Sequence, residues 1–588
     1  MVRFCSLFAA IVCLALLLSV PAPLWAADPV RLEVTGVEGD AKKNVREALA
    51  FPSGMVRDGK VDRLWLDRFA DHAVEKARIA LQPYGYYNAW ISASVEEEKG
   101  GAYRLLVQVT PGEPVRLTQV EVEVKGAGAG EAQLARFATH FPLATGAVLV
   151  QPTYEQAKGV LKSRALALGY LDAGFTRHEI RIAEGGASAR IALTLETGER
   201  YFFDDVTIEG APDYPESYLK RFVTFTKGEV FSYAKLAETQ LNFSNSERFK
   251  QVVVTPQTKQ AKELRVPVLV QLVSAARRSL RPGVGYGTDT GARATVRYRD
   301  LNMFHLGHDL DLNLYAAQRL QGFAARYTRP SPTDIKNSTS VQLNLQQEEV
   351  TTYQSKLAAI ELDQNRIFGK GELGTAYLRV QQESFTIGDQ KSSSLLVMPG
   401  VRFSKERFDN MVRPTLGYRY ALELRGAHPY LGSDTGLAQI IAEGNALLPL
   451  PWRLSLHARG KAAGSLLSDP LGDLPPSIRF FAGGDQSVRG FSYQGLGPRD
   501  ATGHVVGGRH LLVGSVELER AILKDWGVSV FYDAGNAFND FNRIQLGQAA
   551  GVGLHYYTPV GGLNVSLAKR LGTDRAIYYL HFTVGFQL

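Results

Sequence analysis

The residues best suited to chemistry lie in one stretch, Arg479-Phe480-Phe481-Ala482-Gly483-Gly484-Asp485-Gln486-Ser487-Val488-Arg489-Gly490-Phe491. Its glycines permit a tight backbone reversal, and the Arg489 guanidinium sits between Val488 and Phe491, bulky apolar neighbours that a solvated loop seldom carries. The stretch predicts a buried arginine, whose chemistry is charge pairing rather than bond making. Signatures of catalysis are missing elsewhere: the sequence has no Gly-x-Ser-x-Gly elbow and no His-Glu-x-x-His. His305 and His308, three apart on a strand or its turn, would face opposite sides and make a poor metal pair. No helix follows Gly283-x-Gly285-x-Gly287, so it is not a phosphate loop. We therefore expect no enzyme, no metal and no cofactor.

The chain has 588 residues, 45% hydrophobic and 21% charged, which is long enough for several domains and points to neither disorder nor a helical membrane bundle. Residues 1–27 differ from the rest. Arg3, the apolar run Phe4 to Val20, two prolines and the small pair Ala26-Ala27 predict a secretory signal peptide cleaved after Ala26 or Ala27. Both cysteines, Cys5 and Cys13, fall in that leader, so the exported chain needs no disulfide. The formal charge of +7 is scattered, with no dense basic block or aromatic stacking platform, so a nucleic-acid partner is not expected. Beyond Ala27 there is no apolar run of eighteen residues. A membrane crossing would then need a closed barrel of strands.

From Val30 to about Ala275 the pattern strand, helix, helix, strand, strand occurs three times, with expected domains at 28–113, 114–198 and 199–275. In the first copy a helix from Asp62 to Leu81 carries Leu66, Phe69, Ala70, Ala73, Ala77, Ile79 and Leu81 on one face. The junctions match between copies. Thr110-Pro111-Gly112-Glu113 leads into Val120 to Val124 just as Thr197-Gly198-Glu199 leads into Val206 to Gly210, and Thr145-Gly146-Ala147-Val148-Leu149 is echoed by Lys227-Gly228-Glu229-Val230-Phe231.

After Arg277 the helical period gives way to strict alternation. Leu310, Leu312 and Leu314 alternate with Asp309, Asp311 and Asn313; Val341, Leu343 and Leu345 with Gln342, Asn344 and Gln346; and Leu563, Val565 and Leu567 with Asn564, Ser566 and Ala568. One greasy and one wet face, sustained over residues 276–588, predict an all-β transmembrane β-barrel. At roughly 20 residues per strand and connection that segment gives about sixteen antiparallel strands. The last strand puts Tyr578, Leu580, Phe582, Val584, Phe586 and Leu588 on one face and Tyr579, His581, Thr583, Gly585 and Gln587 on the other. Closure pairs it with the first strand, read as Pro282 to Thr288. Gly283, Gly285 and Gly287 there, opposite a strand carrying Gly585, should make this seam the weakest part of the wall.

These features resemble one family. Val488-Arg489-Gly490-Phe491, with Arg-Phe-Phe-Ala-Gly-Gly before it and Tyr493 and Gly495 after it, looks like the inner loop of the outer-membrane assembly and translocation superfamily that includes BamA, TamA and the two-partner secretion transporters. The repeats resemble POTRA domains, and three of them is the TamA count; a two-partner secretion transporter would carry two and a plug helix. The last strand resembles the terminal signal of outer-membrane substrates, although Leu588 stands where the family usually ends in Phe or Trp. The fold implied is three α+β POTRA repeats followed by a barrel.

The resemblance also implies roles. Phe531-x-Asp533-x-Gly535 matches the inner-wall motif whose acid binds the loop arginine, and Glu517 on the neighbouring strand matches a second contact. Arg489 is thus expected to bond Asp533 and Glu517, anchoring the loop through a charge that would otherwise be left uncompensated. An opened seam at Gly283, Gly285, Gly287, Phe582, Gly585, Phe586 and Leu588 would expose strand edges in lipid and template an incoming strand. The edges of the repeat sheets would offer docking sites to extended chains in the periplasm. The implied partners are a TamB-like inner-membrane-anchored periplasmic protein, unfolded autotransporters and other barrel clients, and the lipid bilayer. The alternative is a two-partner secretion transporter exporting a dedicated exoprotein.

Overall fold

The computed structural model describes residues 29–57, 60–98, 102–410, 413–558 and 561–585. The leader expected over residues 1–27 and two residues assigned to the gate, Phe586 and Leu588, lie outside them. The molecule divides into two compact units, one made of Met1–Glu209, Val223–Asn242 and Val252–Gln271, the other of Gly210–Phe222, Phe243–Gln251 and Leu272–Leu588.

The N-terminal repeats each build a three-stranded sheet of one topology. In the first, Val30–Thr35 runs parallel to Ala102–Thr110, whose other side pairs antiparallel with Trp90–Glu98. The order first, third, second recurs with Arg116–Lys125, Ser188–Glu196 and Gly174–Ile182, and again with Phe202–Glu209, Arg265–Ser274 and Phe249–Pro256. Because the last strand takes the middle place, the other two lie at the margins of every sheet. In the first repeat the helix Arg63–Leu81 begins where the Asp62 carboxylate accepts a hydrogen bond from the Trp65 amide at 3.0 Å. It buries Leu66, Phe69, Ala73, Ala77, Ala80 and Leu81 beside Val34, Leu105 and Val107. Ile79, expected on that face, is 57% exposed. At about 100° per residue it points away from Leu66 and Ala73, and Ala80 takes its place against the sheet.

One residue marks the repeat more sharply than any junction. Gly36, Gly126 and Gly210 each follow the first strand of a copy, with φ of +86°, +87° and +85°. A Cβ at Gly36 would overlap the carbonyl oxygen of Val109, and one at Gly210 that of Leu272, both on central strands. The first strand must leave the sheet in a left-handed turn pressed against its neighbour, which glycine alone permits. Gly36→Ala is expected to destabilise the first repeat by more than about 1 kcal/mol. In hydrogen exchange of the full chain, protection should fall across the sheet Val30–Thr35, Trp90–Glu98 and Ala102–Thr110 and hold in the barrel.

In the second unit, sixteen strands of the described residues close into a barrel in sequential antiparallel order, from Arg278–Gly287 to Tyr578–Gly585. Alternation decides which side chains face outward. Leu314 pairs with Phe323 and Phe323 with Leu345, while Val552 pairs with Leu567 and Leu567 with Leu580, so apolar residues sit side by side around the outer wall. Ile360, Val401, Ile440, Val516 and Leu580 are 49–61% exposed there, as a lipid-facing belt requires. The opposite parity fills the interior with Glu361, Asp363, Glu383, Glu519, Asp533 and His581, all buried. The same unit includes a partly buried ion pair between Arg248 and Asp309 at 2.6 Å, and Asn302 Nδ2 donates to the Asp213 carbonyl at 2.9 Å.

Candidate functional site

The segment joining the eleventh strand, Leu454–Leu467, to the twelfth, His510–Ala521, folds into the lumen. Val488 is fully buried beside Phe480, Phe491, Leu511 and Val513, which fixes the backbone on either side of Arg489. The Arg489 guanidinium then meets the wall. Its Nε donates to Asp533 Oδ2 at 2.8 Å, one terminal nitrogen to Asp533 Oδ1 at 2.9 Å and the other to Glu517 Oε2 at 2.6 Å. The Arg489 amide adds a bond to Asp533 Oδ2 at 2.9 Å, and its guanidinium carbon lies 3.4 Å from the Phe531 ring centroid. Asp533 is fully buried and also accepts from Ser515 Oγ at 2.6 Å, while Glu517 accepts from His555 Nε2 at 2.8 Å.

Two glycines of this arrangement are set by close approach. Gly490 has φ +95° and its missing Cβ would lie 2.8 Å from Ala549 Cβ; a Cβ at Gly535 would lie 2.7 Å from the Leu512 carbonyl oxygen. Phe491, 9% exposed, sits under the Arg570 guanidinium at 4.1 Å. The structure thus brings together Val488, Arg489, Gly490, Phe491, Glu517, Phe531, Asp533 and Gly535.

Sequence reasoning missed much of what holds the loop. Arg479, 7% exposed, is satisfied by the carbonyls of Leu474, Val506 and Gly472 at 2.8–3.0 Å. Arg459 donates to the Asp485 carbonyl at 2.8 Å, and Arg570 Nε to that of Gly490 at 3.3 Å. Tyr493 donates to Glu348 Oε1 at 3.4 Å. Strand parity was the available signal: Ser515 shares its inward face with Glu517, and Arg570 with Ala568 and Ser566. Asp485 and Asp289 carry no such mark, because the first lies in a loop and the second in a turn. Asp485 N–H donates to Asp289 Oδ2 at 2.7 Å, and Thr583 Oγ1 on the last strand donates to Asp485 Oδ2 at 3.0 Å.

The seam is short. The first strand pairs with the second along its whole length, Arg278 to Gly287, but with the last strand only at Tyr286↔Val584 and Gly287↔Thr583 among the described residues. Thr288 extends it by one step, its amide donating to the Phe582 carbonyl at 3.0 Å and its hydroxyl accepting from the Phe582 amide at 2.7 Å. Gly287 and Phe582 thus lie at the closed end. Gly283 and Gly285 lie beyond it, toward the end where the chain enters the barrel, and a Cβ on Gly285 would stand 2.6 Å from the Val584 carbonyl oxygen. Gly585 pairs with Gly562 on the fifteenth strand. The strand begins at Arg278, earlier than expected, because Arg278 Nε bonds the buried Asp300 at 3.0 Å. Pro282, which has no N–H to give, is tolerated at such an edge.

Residues 282–587, more than half of the chain, match the Omp85 superfamily domain. The chain belongs to the Omp85 superfamily. Residues 31–111 match POTRA domain TamA domain 1, and residues 201–273 a POTRA family described as a surface antigen variable number repeat. The outer membrane protein assembly factor BamA of Nitratidesulfovibrio vulgaris is 24% identical over 431 residues, 69% of this chain and 54% of that protein. The chain therefore spans about half the length of that relative. Among solved structures, BamA from Haemophilus ducreyi lacking POTRA domains 1–3 superposes with a TM-score of 0.64 at 18% identity, covering 79% of this chain and 99% of that one. CdiB from Escherichia coli gives 0.50 at 14% identity, covering 91% and 100%. This Omp85 protein is an outer-membrane β-barrel with periplasmic POTRA domains.

Proposed function

We propose that this Omp85 protein is a TamA-like assembly and translocation factor that helps insert or secrete autotransporters and other barrel proteins by templating strands at a lateral gate. The observation that carries the reading is the seam: two ladder pairs among the described residues, beside neighbouring strands paired over ten residues on one side and eight on the other. Each backbone group left unpaired in lipid costs several kcal/mol, on the order of the cost of any buried unsatisfied polar group. An incoming strand that satisfies such groups is strongly favoured, and parting so few pairs is the cheapest way to expose them. The Arg489, Asp533 and Glu517 cluster serves as the loop anchor, with Phe531 as its platform. Gly283, Gly285, Gly287, Phe582, Gly585, Phe586 and Leu588 serve as the gate.

The match of residues 31–111 to the first domain of TamA supports a TamA-type arm over the other branches, and with it a TamB-like inner-membrane-anchored periplasmic partner. Pull-down from cell envelopes with the full chain distinguishes the readings. Retention of such an anchored partner is the expected result. Retention of a large secreted exoprotein in its place would assign the chain to two-partner secretion.

A further inference from the structure

We propose that Asp485 is a clasp that holds the seam shut from inside the lumen, so that unseating the loop and opening the wall become one event. This rests on the lateral-gate reading and names the control of that gate. Asp485 lies four residues before Arg489 on the same loop, and it touches both sides of the seam. Through its main-chain N–H it holds Asp289, in the turn that ends the first strand; through its carboxylate it holds Thr583, on the last. The fit on the first side is close, since a Cβ on Gly484 would overlap the Asp289 carboxylate. The loop grips the last strand again one inward position further along, where Gly490 N–H meets His581 Nε2 at 3.4 Å.

Elsewhere in the barrel two side-chain bonds would be a small addition to a full ladder. Among the described residues they supplement two ladder pairs and the Thr288–Phe582 step, so they form a large share of what holds those edges together. Asp289 is 7% exposed, and water does not readily replace a bond lost there. The clasp is also a series link: cutting either end frees the edges as completely as cutting both.

The groups that face the clasp set its response to pH. The carboxyls of Asp289 and Asp485 face each other, with Tyr493 against Gly484 beside them. Arg319 donates to the Asp289 carbonyl at 2.9 Å, Arg459 to that of Asp485, and His581 lies on the last strand next to Thr583's inward position. Burial, and after it the Asp485 carboxyl, push Asp289 up to about 8. The clasped form therefore holds a proton that the released form gives up. Its contribution is complete below the ordinary carboxylate range and is lost as pH rises through about 8.

The test uses the full-length protein in native envelopes with cysteines at the register partners Tyr286 and Val584, read by the rate of disulfide formation after a thiol oxidant is added. Asp485→Ala and Asp289→Ala should each slow cross-linking about fivefold, the loss of one hydrogen bond's worth of closure, and the double variant should slow it no further. Asp485→Asn, which keeps the main-chain donor and an acceptor for Thr583, should restore the rate. Raising pH through about 8 speeds thiolate chemistry in both proteins, so the parental rate should fall relative to that of Asp289→Asn measured at the same pH. Heat-modifiable migration in detergent gels reports that each barrel is folded. Folded Asp485→Ala and Asp289→Ala proteins that cross-link at the parental rate, or a double variant whose slowing is the product of the two, would overturn the clasp. If cross-linking behaves as expected while client insertion ignores the state of the seam, the clasp stands and the lateral-gate reading fails.

Discussion

Replacing Arg489 by alanine is expected to destabilise the seated loop by about 3–5 kcal/mol, the usual penalty for removing one partner of a buried ion pair. Asp533 has no exposed surface and takes two hydrogen bonds from the Arg489 guanidinium; alanine keeps only the main-chain N–H, so the carboxylate would be left with that amide and Ser515 and no cation. Glu517 loses less, because His555 still donates to it. Asp533→Ala should cost a similar amount, since it leaves the buried Arg489 with Glu517 and the Ser515 hydroxyl in place of a bidentate carboxylate. The double variant should cost well below the sum, as it removes both the attraction and the uncompensated charge. Chemical unfolding in detergent gives the energies, and protease added from outside should cut within residues 468–509 of the single variants and spare the parent. For contrast, Lys43 and Glu47 form an ion pair 3.9 Å apart with both side chains mostly exposed, and losing it should cost about 0.5 kcal/mol or less.

How much of this was legible depended on whether a signal repeats along the chain. Barrel alternation has a period of two, so a single misplaced residue would have reversed a whole strand. Leu312, Leu343 and Leu567 face outward and Asp533 and His581 inward as their parity requires. The repeat pattern was legible for the same reason, but Ile79 shows its limit: a long helix contains apolar residues that belong to no face, and only the summed rotation separates them. The loop anchor was readable through the resemblance of two short motifs. Its other supports were not. Arg479 is held by main-chain carbonyls, which every residue carries and no sequence advertises. Asp485 meets Asp289 across almost two hundred residues of chain, because closing the barrel brings the first turn beside the last strand.

That closure has an energetic consequence. In a barrel of sixteen strands, fifteen junctions are made between sequence neighbours and gain from short connections; the sixteenth joins the two ends of the domain. Nature could have made it as strong as the rest. Instead three glycines, a proline and, among the described residues, two ladder pairs stand there, and the loop behind adds its own bonds to both edges.

A disulfide between cysteines at Tyr286 and Val584 decides whether the seam has to part for a client to fold. With the full-length protein in liposomes and an unfolded outer-membrane barrel supplied from outside, oxidation should return the client's folding rate to that of empty liposomes, and a reductant should restore the assistance. An oxidised, fully cross-linked protein that still accelerates the client would show that strands are not templated at this seam.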